Sequence, residues 1–400
     1  RLAPAGVGRR GAGGTAGGLL MAERDFLRRL PEEEAFERRQ ALLYKLHVDL
    51  PLLFLVLLIC GYGLVVLYSA VDQNTARLVS QAWRLAAALG LMFVVAQIPP
   101  RTLRRWASLF YGGGVLLLVA VMLFGVSAKG AQRWLDLPGL PRFQPSEMMK
   151  LAVPMMIAAH FEGRSLPPRL GTVAGALGLI AVPAVLIAAQ PDLGTAVLVA
   201  GSGVAVVLLA GVRWSWVFAA LAAGIAALPA LWAVMKDYQR QRVLTLLDPE
   251  SDPLGAGWNI IQSKTAIGSG GLFGKGLFAG TQSHLDFLPE SHTDFIIAVL
   301  AEEFGFLGVL VLLLLYFLLV TRGLFIATQG QTPFARMLAG GLTITFFTYL
   351  FVNIAMVSGL LPVVGVPLPL VSYGGTSALT LMTGFGILMA IHTDRKLLRA

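Results

Sequence analysis

The sequence contains few charged residues. Aspartate, glutamate, lysine and arginine make up 13% of its 400 residues, whereas 56% are hydrophobic. A soluble domain carries about 25% charged residues, which gives it enough polar surface to meet water. The shortage of charge here excludes an ordinary soluble globular domain, and we expect most of the surface to face lipid.

Cysteine is almost absent, because Cys60 is the single one and stands within an apolar run. One cysteine forms no internal disulfide, and the sequence shows no cysteine or histidine spacing typical of a metal site. The sequence also lacks basic stretches interleaved with aromatic residues, which argues against nucleic-acid binding despite the net charge of +9. We interpret the excess of basic residues as loops that face an anionic membrane surface.

Long apolar runs are abundant. Most of them reach the ~20 residues that an α-helix needs to cross the hydrocarbon core of a bilayer. We therefore predict an all-α, polytopic integral membrane protein with about ten transmembrane helices. The predicted spans are residues 50–70, 79–98, 106–126, 143–161, 171–189, 193–212, 215–235, 295–320, 337–361 and 377–392.

Lysine and arginine are unevenly distributed among the segments that join these spans. They concentrate in the segments that lie inside if the N-terminus is cytoplasmic, and this bias marks the cytoplasmic side. We predict that both termini are cytoplasmic. Residues 1–46 are expected to form a cytoplasmic tail, with 1–20 disordered or an artefact of the chosen start site, and 47–398 to form the membrane domain.

The segment 236–294, between the seventh and eighth predicted spans, is much longer than the other connections. We predict that it is extracytoplasmic and functional, because such long loops in compact domains are either functional or disordered. Trp258, Phe273 and Phe287 argue against disorder. The many glycines of the segment permit tight turns and a close approach of the backbone to a ligand.

Charged side chains inside the predicted spans are costly and mark functional sites. Glu147 and Lys150 stand three residues apart on the fourth span and so share a helix face. They form either a structural ion pair or the polar wall of a substrate cavity. Arg84, in the second span, either snorkels to the surface or is paired. At least one of Glu302 and Glu303, in the eighth span, should face the bundle interior.

Asp294, at the mouth of the eighth span, is the strongest single candidate for a catalytic residue. Helix capping is an equal alternative, because Ser291 and Asp294 have the spacing of a capping box. A Ser-His-Asp triad is weakly supported, since His292 and Asp294 are too close in sequence to share a helix face.

Lys129 and Arg133 stand just outside the third predicted span. Cations at the membrane surface suit an anionic headgroup such as a pyrophosphate. The alternative is that they anchor the protein at the interface together with Trp134.

Several long motifs together resemble one family. They lie at residues 129–134, 143–147, 190–195, 237–242, 247–255, 262–271, 288–295 and 361–375. The chain resembles the SEDS family (shape, elongation, division and sporulation) over about 46–398, and within it the RodA branch of Gram-negative bacteria. Residues 1–20 have no counterpart in that family.

The resemblance implies an activity, a location and a partner. It implies that the chain polymerises lipid II, a disaccharide-pentapeptide on undecaprenyl pyrophosphate, into glycan strands for cell-wall elongation and rod shape. The active site would face the periplasm from the bacterial inner membrane, and the partner would be a class B penicillin-binding protein, a transpeptidase. Asp294 matches the essential aspartate of the family, and Glu147 and Lys150 match its intramembrane pair. Asp286 matches an acidic position at which substitutions in the related division protein alter activation, and so is a candidate regulatory residue.

The reaction that the resemblance implies needs two kinds of catalytic group. A base accepts the proton of the acceptor hydroxyl, and cations stabilise the departing diphosphate. We assign the base to Asp294 and the cations to some of Lys129, Arg133, Arg240, Arg242, Lys264 and Lys275.

A divalent cation is an alternative source of positive charge, although no ligand cluster in the sequence identifies a site, and we expect no other cofactor. Two other functions remain as alternatives, a lipid II flippase and a non-catalytic scaffold for the transpeptidase.

Overall fold

A computed structural model of the chain describes residues 46–128, 131–136, 143–251, 256–281 and 290–394. Over these ranges the chain is helical apart from connections and one antiparallel pair of short strands, β1 (Val126–Ala128) and β2 (Ala131–Trp134). The all-α prediction is therefore confirmed. The predictions for Lys129, Asp286 and the N-terminal tail fall on residues outside this description.

The helices follow one another along the chain, most of them with short connections. They are α1 (Leu50–Ala70), α2 (Thr75–Ala96), α3 (Pro100–Phe124), α4 (Pro145–Phe161), α5 (Leu170–Ala189), α6 (Leu193–Leu209), α7 (Trp214–Val234), α8 (Asp237–Leu247), α9 (Ala256–Gly270), α10 (Ile296–Gln329), α11 (Pro333–Val357) and α12 (Gly375–Thr393), with a 3₁₀ turn at Pro249–Ser251.

Within the described ranges, seven helices are long and apolar enough to cross a membrane: α1, α2, α3, α5, α10, α11 and α12. Helix α6 and the part of α7 at Trp214–Ala230 are apolar but shorter, and the 17-residue α4 contains two charged residues near its start. Each predicted span overlaps one of these ten helices. The multi-pass membrane architecture is confirmed, and the count of ten spans stays a prediction.

Short polar side chains fix where several helices begin. Asp49 accepts a hydrogen bond from the backbone N–H of Leu52 at the start of α1, at 2.9 Å. Asn74, Asp192 and Thr332 cap α2, α6 and α11 in the same way. Such side chains satisfy backbone donors that have no partner inside the first helical turn.

Glycines let the helices approach closely. A Cβ atom on Gly203 of α6 would collide with Ile180 of α5, one on Gly341 of α11 with Val206 of α6, and one on Gly386 of α12 with the backbone of α2. Close contact of this kind drives helix association in lipid, where apolar burial alone gives little preference.

Both Glu302 and Glu303 lie inside the bundle, where they are 0% and 1% exposed. This confirms the prediction that at least one of them faces the bundle interior.

Helix α10 is broken rather than straight. Its 34 residues would span about 51 Å at 1.5 Å per residue, well beyond a ~30 Å hydrocarbon core. Gly305, with φ 66° and ψ −166°, interrupts the helix. This backbone conformation is open to glycine and closed to most other residues, and it divides α10 into an outer piece, 296–304, and an inner piece, 306–329.

Part of the segment 236–294 packs alongside the outer piece of α10. Helix α9 lies against α10, and the turn that follows it reaches Glu302, whose carbonyl accepts the backbone N–H of Lys275 at 3.0 Å. Glu302 lies about 9 Å along the axis of α10 from Ile296. Helix α9 and its turn therefore re-enter the bundle from the end that carries Asp294. That the whole segment is extracytoplasmic stays a prediction.

Candidate active site

Asp294 lies directly before α10, with a partly buried side chain. Its carboxylate stands over the backbone of Gly365, where a Cβ atom would lie 3.6 Å from Asp294 Oδ2. Phe295 is the N-cap of α10 and makes no side-chain cap hydrogen bond. The N-cap position is thus one residue after Asp294, and the choice between the helix-cap and catalytic interpretations of Asp294 stays a prediction.

The backbone around Asp294 is held from behind by α11. The side-chain amide of Asn353, on α11, donates to the carbonyl oxygen of Asp294 at 2.8 Å and to that of Val366 at 2.6 Å. Asn353 is completely buried. One amide thus ties the Asp294 backbone to the segment that carries Gly365 and fixes the position of Asp294.

The residues that precede Asp294 are fastened to the turn before α12. Ser372 donates from Oγ to the carbonyl of Thr293 at 2.5 Å, and the backbone N–H of Tyr373 donates to the carbonyl of His292 at 3.0 Å. The rings of His292 and Tyr373 meet edge to face, with centroids 5.9 Å apart. His292 therefore packs against Tyr373, and the Ser-His-Asp triad stays a weakly supported hypothesis.

Helix α2 supports the same turn from its other side. Gln81 donates to the carbonyl of Ser372 and accepts the backbone N–H of Gly374, both at 3.3 Å. The guanidinium of Arg84 lies 4.6 Å from the centre of the Tyr373 ring. Arg84 is exposed, so it combines cation–π stacking with access to the surroundings of the bundle. The sequence analysis did not identify Gln81, although a glutamine inside an apolar span could have indicated it.

Glu147 and Lys150 form a buried ion pair in α4, with Lys150 Nζ 2.5 Å from Glu147 Oε1. Lys150 Nζ also lies 4.3 Å from the centre of the Tyr349 ring of α11. Glu147 Oε2 and the Tyr349 hydroxyl are buried, with no hydrogen-bond partner in the described part of the chain. All three side chains line a cavity between α4, α10, α11 and α12. The pair is therefore an ion pair that also lines a cavity, and a role of this cavity in holding substrate stays a prediction.

Arg133 is anchored by the segment that begins α6. Its Nη1 lies 3.6 Å from Asp192 Oδ1, and its Nη2 donates to the carbonyl of Pro191. Asp192 also accepts the side-chain amide of Gln144 at 3.2 Å. Sequence reasoning treated Asp192 only as part of a motif. Its signal was a carboxylate at the mouth of an apolar span, the same feature that singled out Asp294.

The other basic candidates lie in different environments. Arg240 donates to the carbonyls of Trp232 and Ala233 at the end of α7, at 3.1 and 2.7 Å. Lys275 is paired with buried Glu302 at 2.6 Å. Lys264, on α9, is exposed, and Arg242, on α8, is partly buried. Of the six proposed cations, Arg133, Arg240 and Lys275 thus already have oxygen partners within the protein.

The part of the chain that the structure describes contains no group of three or more histidine, cysteine, aspartate or glutamate side chains arranged to hold a metal ion. A divalent cation at the site stays a hypothesis, and these side chains do not indicate where it would bind.

Comparison with known proteins gives consistent matches over nearly the whole membrane part. The family model for cell cycle proteins of the FtsW, RodA and SpoVE type matches residues 50–397. The chain is 56% identical over 355 residues to the peptidoglycan glycosyltransferase MrdB of Escherichia coli strain K12, which covers 88% of this chain and 96% of that protein.

Two solved structures are similar in fold. One, described as the structural coordination of polymerization and crosslinking by a peptidoglycan synthase complex, has a TM-score of 0.77 and 34% identity over 86% of this chain and 98% of the other. The rod shape determining protein RodA of Thermus thermophilus has a TM-score of 0.66 and 32% identity over 87% of this chain and 97% of the other.

Proposed function

The chain belongs to the cell cycle protein family of FtsW, RodA and SpoVE and is a peptidoglycan glycosyltransferase, and we propose that it polymerises lipid II with Asp294 as the general base. The product is a glycan strand for cell-wall elongation and rod shape. The observation that carries this assignment is the position of Asp294, whose carboxylate stands at the mouth of α10 over a backbone without a side chain.

The bonds made and broken define the role of Asp294. The acceptor sugar hydroxyl attacks the anomeric carbon of the donor, and its proton passes to the Asp294 carboxylate. The bond from that carbon to the diphosphate oxygen breaks, and the lipid diphosphate leaves with the bonding electrons. A carboxylate within hydrogen-bond reach of the hydroxyl accelerates such a step by about 10²- to 10⁴-fold.

The surroundings of Asp294 suit a base that must keep its position. Its backbone carbonyl is fixed by Asn353, and the residues before it are fixed by Ser372 and Tyr373. Gly365, with φ 75°, leaves the space in front of Oδ2 without a side chain. A carboxylate that is held in a fixed position, with space in front of it, can meet a precisely placed sugar hydroxyl.

Substrate contacts are proposed for the cavity walls and for the remaining basic residues. Glu147 and Lys150 line a cavity between four helices whose other walls are mainly apolar, and this composition suits a lipid-linked substrate. Lys264 is exposed and is available to a diphosphate, whereas Arg133 and Arg240 would have to share their charge with oxygens that they already bind. Positive charge near the leaving group stabilises the transition state.

We place the protein in the bacterial inner membrane, with both termini cytoplasmic and Asp294 on the periplasmic side. Its proposed partner is a class B penicillin-binding protein that crosslinks the product, with Asp286 as a regulatory position. The similar structure of a synthase complex that combines polymerization and crosslinking supports this partnership. The same similarity favours a polymerase over the flippase and scaffold alternatives.

The test is polymerisation by the detergent-solubilised full-length protein together with its transpeptidase partner. Lipid II is the substrate, and glycan ladders are resolved on a gel. We expect ladders from the unchanged protein and a loss of about 10²-fold or more with Asp294→Asn. Detergent removes the two sides of the membrane, so a flippase or a scaffold would produce no ladders.

Asp72→Asn is the matched control, because Asp72 is an exposed acid in the turn between α1 and α2 and asparagine tolerates its φ of 52°. We expect the control to polymerise as well as the unchanged protein. Near-normal ladders from Asp294→Asn would overturn the general-base assignment.

A further inference from the structure

The break in α10 is closed by another segment of the chain. Residues 271–276, the turn after α9, exchange backbone hydrogen bonds with both sides of Gly305. The bonds, between 2.9 and 3.1 Å, run from Lys275 N–H to Glu302 O, from Gly276 N–H to Glu303 O, from Phe306 N–H to Gly271 O and from Leu307 N–H to Leu272 O. Unpaired backbone groups are costly inside a membrane protein. The turn therefore replaces the hydrogen bonds that the helix loses at its break.

A side-chain network reinforces this junction. The Oε1 atom of Glu302, which is 0% exposed, accepts from Lys275 Nζ at 2.6 Å, from Thr281 N–H at 2.8 Å and from Thr281 Oγ1 at 3.0 Å. Lys275 Nζ also donates to Thr281 Oγ1 at 2.8 Å. We call Lys275, Thr281 and Glu302 the latch. Removing Lys275 would leave the buried carboxylate of Glu302 without its cation, which is costly.

The end of α1 contacts both the outer piece of α10 and the residues that follow the turn. Ser69 donates from Oγ to Glu303 Oε1 at 2.5 Å. The rings of Tyr68 and Phe278 meet edge to face, with centroids 5.7 Å apart. The end of α1 thus packs directly against the outer piece of α10 through Ser69 and against the segment 271–281 through Tyr68.

The outer piece of α10 joins the latch to the catalytic carboxylate. Asp294 precedes its first turn and Glu302 lies in its last turn. The piece is about 13 Å long, so a tilt of about 10° about Gly305 would move its outer end by about 2 Å. A displacement of 1 Å in a catalytic group can reduce the rate about 10²-fold. The rate should therefore depend strongly on the orientation of the outer piece of α10.

We infer that Lys275, Thr281 and Glu302 are positioning residues, which fix the outer piece of α10 about the Gly305 break and so place Asp294 for catalysis. This inference rests on the proposed function of Asp294. It also assigns Lys275 a role different from diphosphate binding. The ammonium of Lys275 is neutralised by a buried carboxylate and lies beside Glu302, about 9 Å along α10 from Ile296.

The kinetic test compares Lys275→Met, Glu302→Gln and the double variant, each in the full-length protein with its transpeptidase partner. We expect each single substitution to lower kcat by about 10- to 100-fold while KM for lipid II changes less than about threefold. The double variant should be no slower than the slower single one, because both changes break the same contact.

Lys236→Met is the matched control, since Lys236 is an exposed lysine of the same segment with no assigned role. We expect it to keep the kcat and KM of the unchanged protein.

A role of Lys275 in binding the diphosphate predicts a different pattern. Lys275→Met would then lower kcat or raise KM, whereas Glu302→Gln would leave both constants as they are. That pattern would overturn the inference, as would fully additive losses in the double variant.

A second measurement does not depend on activity. Hydrogen–deuterium exchange of the substrate-free Glu302→Gln variant should be faster in 296–304 and 271–276 and unchanged in α11. Unchanged exchange in the first two segments would overturn the inference. Thr281→Val removes one hydroxyl of the latch and should speed exchange in the same two segments by a smaller amount. This variant replaces Glu302→Gln in the measurement if Glu302→Gln does not fold.

The Asp294→Asn variant separates this inference from the proposed function. We expect it to lose polymerisation while its exchange in 296–304 stays that of the unchanged protein. If Asp294→Asn polymerised normally, the general-base assignment would fail, and the exchange measurements would still test whether the latch holds the outer piece.

Discussion

The two ends of the helix bundle hold their key carboxylates in different ways. At the end where α1 begins, the Asp49 carboxylate is fully buried and lies 2.5 Å from Arg322 Nη2 and 3.0 Å from His392 Nδ1. At the other end, Asp294 is partly buried, and Asn353 and Ser372 hold the backbone carbonyls of Asp294 and Thr293. The Asp49 carboxylate thus joins the starts and ends of three helices, whereas the backbone at Asp294 is held by hydrogen bonds from neighbouring segments.

Positive φ angles occur at both ends, beside Asp49 at His47 (52°) and at three positions near Asp294. These three positions are Glu290, Gly365 and Leu370, with values of 59°, 75° and 63°. Non-glycine residues rarely adopt such angles, and they persist where the surrounding structure enforces them, often at functional sites. The comparison teaches that a buried carboxylate joins helices at the Asp49 end, whereas hydrogen bonds to the backbone hold the Asp294 end in place.

The largest expected effect that would test this comparison is the loss of either carboxylate. Asp294→Asn should abolish polymerisation, by about 10²-fold or more, and leave thermal unfolding nearly unchanged. Asp49→Asn should lower the free energy of unfolding by about 3 kcal/mol, because it leaves the positive charge of Arg322 without its buried partner. The folded Asp49→Asn protein should polymerise normally per molecule.

Unfolding followed by intrinsic fluorescence in detergent, together with the ladder assay, measures both properties. Equal loss of stability in the two variants would show that the two ends do not differ in the way described.

A smaller effect is expected from a methyl group beside Asp294. Gly365→Ala places a Cβ atom 3.6 Å from Asp294 Oδ2, in the approach to the carboxylate, and should lower kcat about 10-fold. Gly163→Ala is the matched control, since Gly163 has the same φ of 75° with no atoms near the added methyl.

Both alanine variants should lose about 1 kcal/mol of stability from the left-handed backbone. An equal loss of activity in both variants would argue against a specific role for the space at Gly365. Initial rates of ladder formation per folded protein are the measurement.

The smallest expected effect is the contribution of Asp49 to the pH dependence of stability. Burial alone would raise the pKa of this carboxyl, but hydrogen bonds from His392, Arg322 and the Leu52 backbone outweigh burial and hold the pKa below its ordinary value of 3.8. The resulting stabilisation is present above pH 3.8 and is lost as the pH falls towards the folded-state pKa.

Thermal unfolding at stepwise lower pH should therefore show a steeper fall in Tm below about pH 4 for the unchanged protein than for Asp49→Asn. Identical slopes would mean that Asp49 contributes nothing to the acid sensitivity.

Some of the candidate site was predictable from local spacing. Glu147 and Lys150, three residues apart on one predicted helix, were expected to share a face, and they form an ion pair in the structure. The predicted spans overlap helices because apolar runs are a local property of the chain. Asp294 could be singled out because a carboxylate at the mouth of an apolar run is costly without a function.

Other parts of the site could not be predicted because their partners are distant in sequence. Lys275 was expected to bind a diphosphate, and the structure pairs it with Glu302, 27 residues further along the chain. Gln81 contacts Ser372 across 291 residues. Gly305 stands in an apolar stretch that is typical of an unbroken helix, so its break was not visible from the pattern.

The sequence by itself determined that the chain lies in a membrane, which runs become helices and where several of them begin. These features depend on residues within a few turns of one another, since the transfer of an apolar run into lipid and the capping of a helix are local events. Only the tertiary structure decided which side chains meet across helices, that α9 and its turn complete a broken α10, and which cations are already neutralised. Those outcomes depend on the packing of distant segments, and a one-dimensional pattern does not specify that packing.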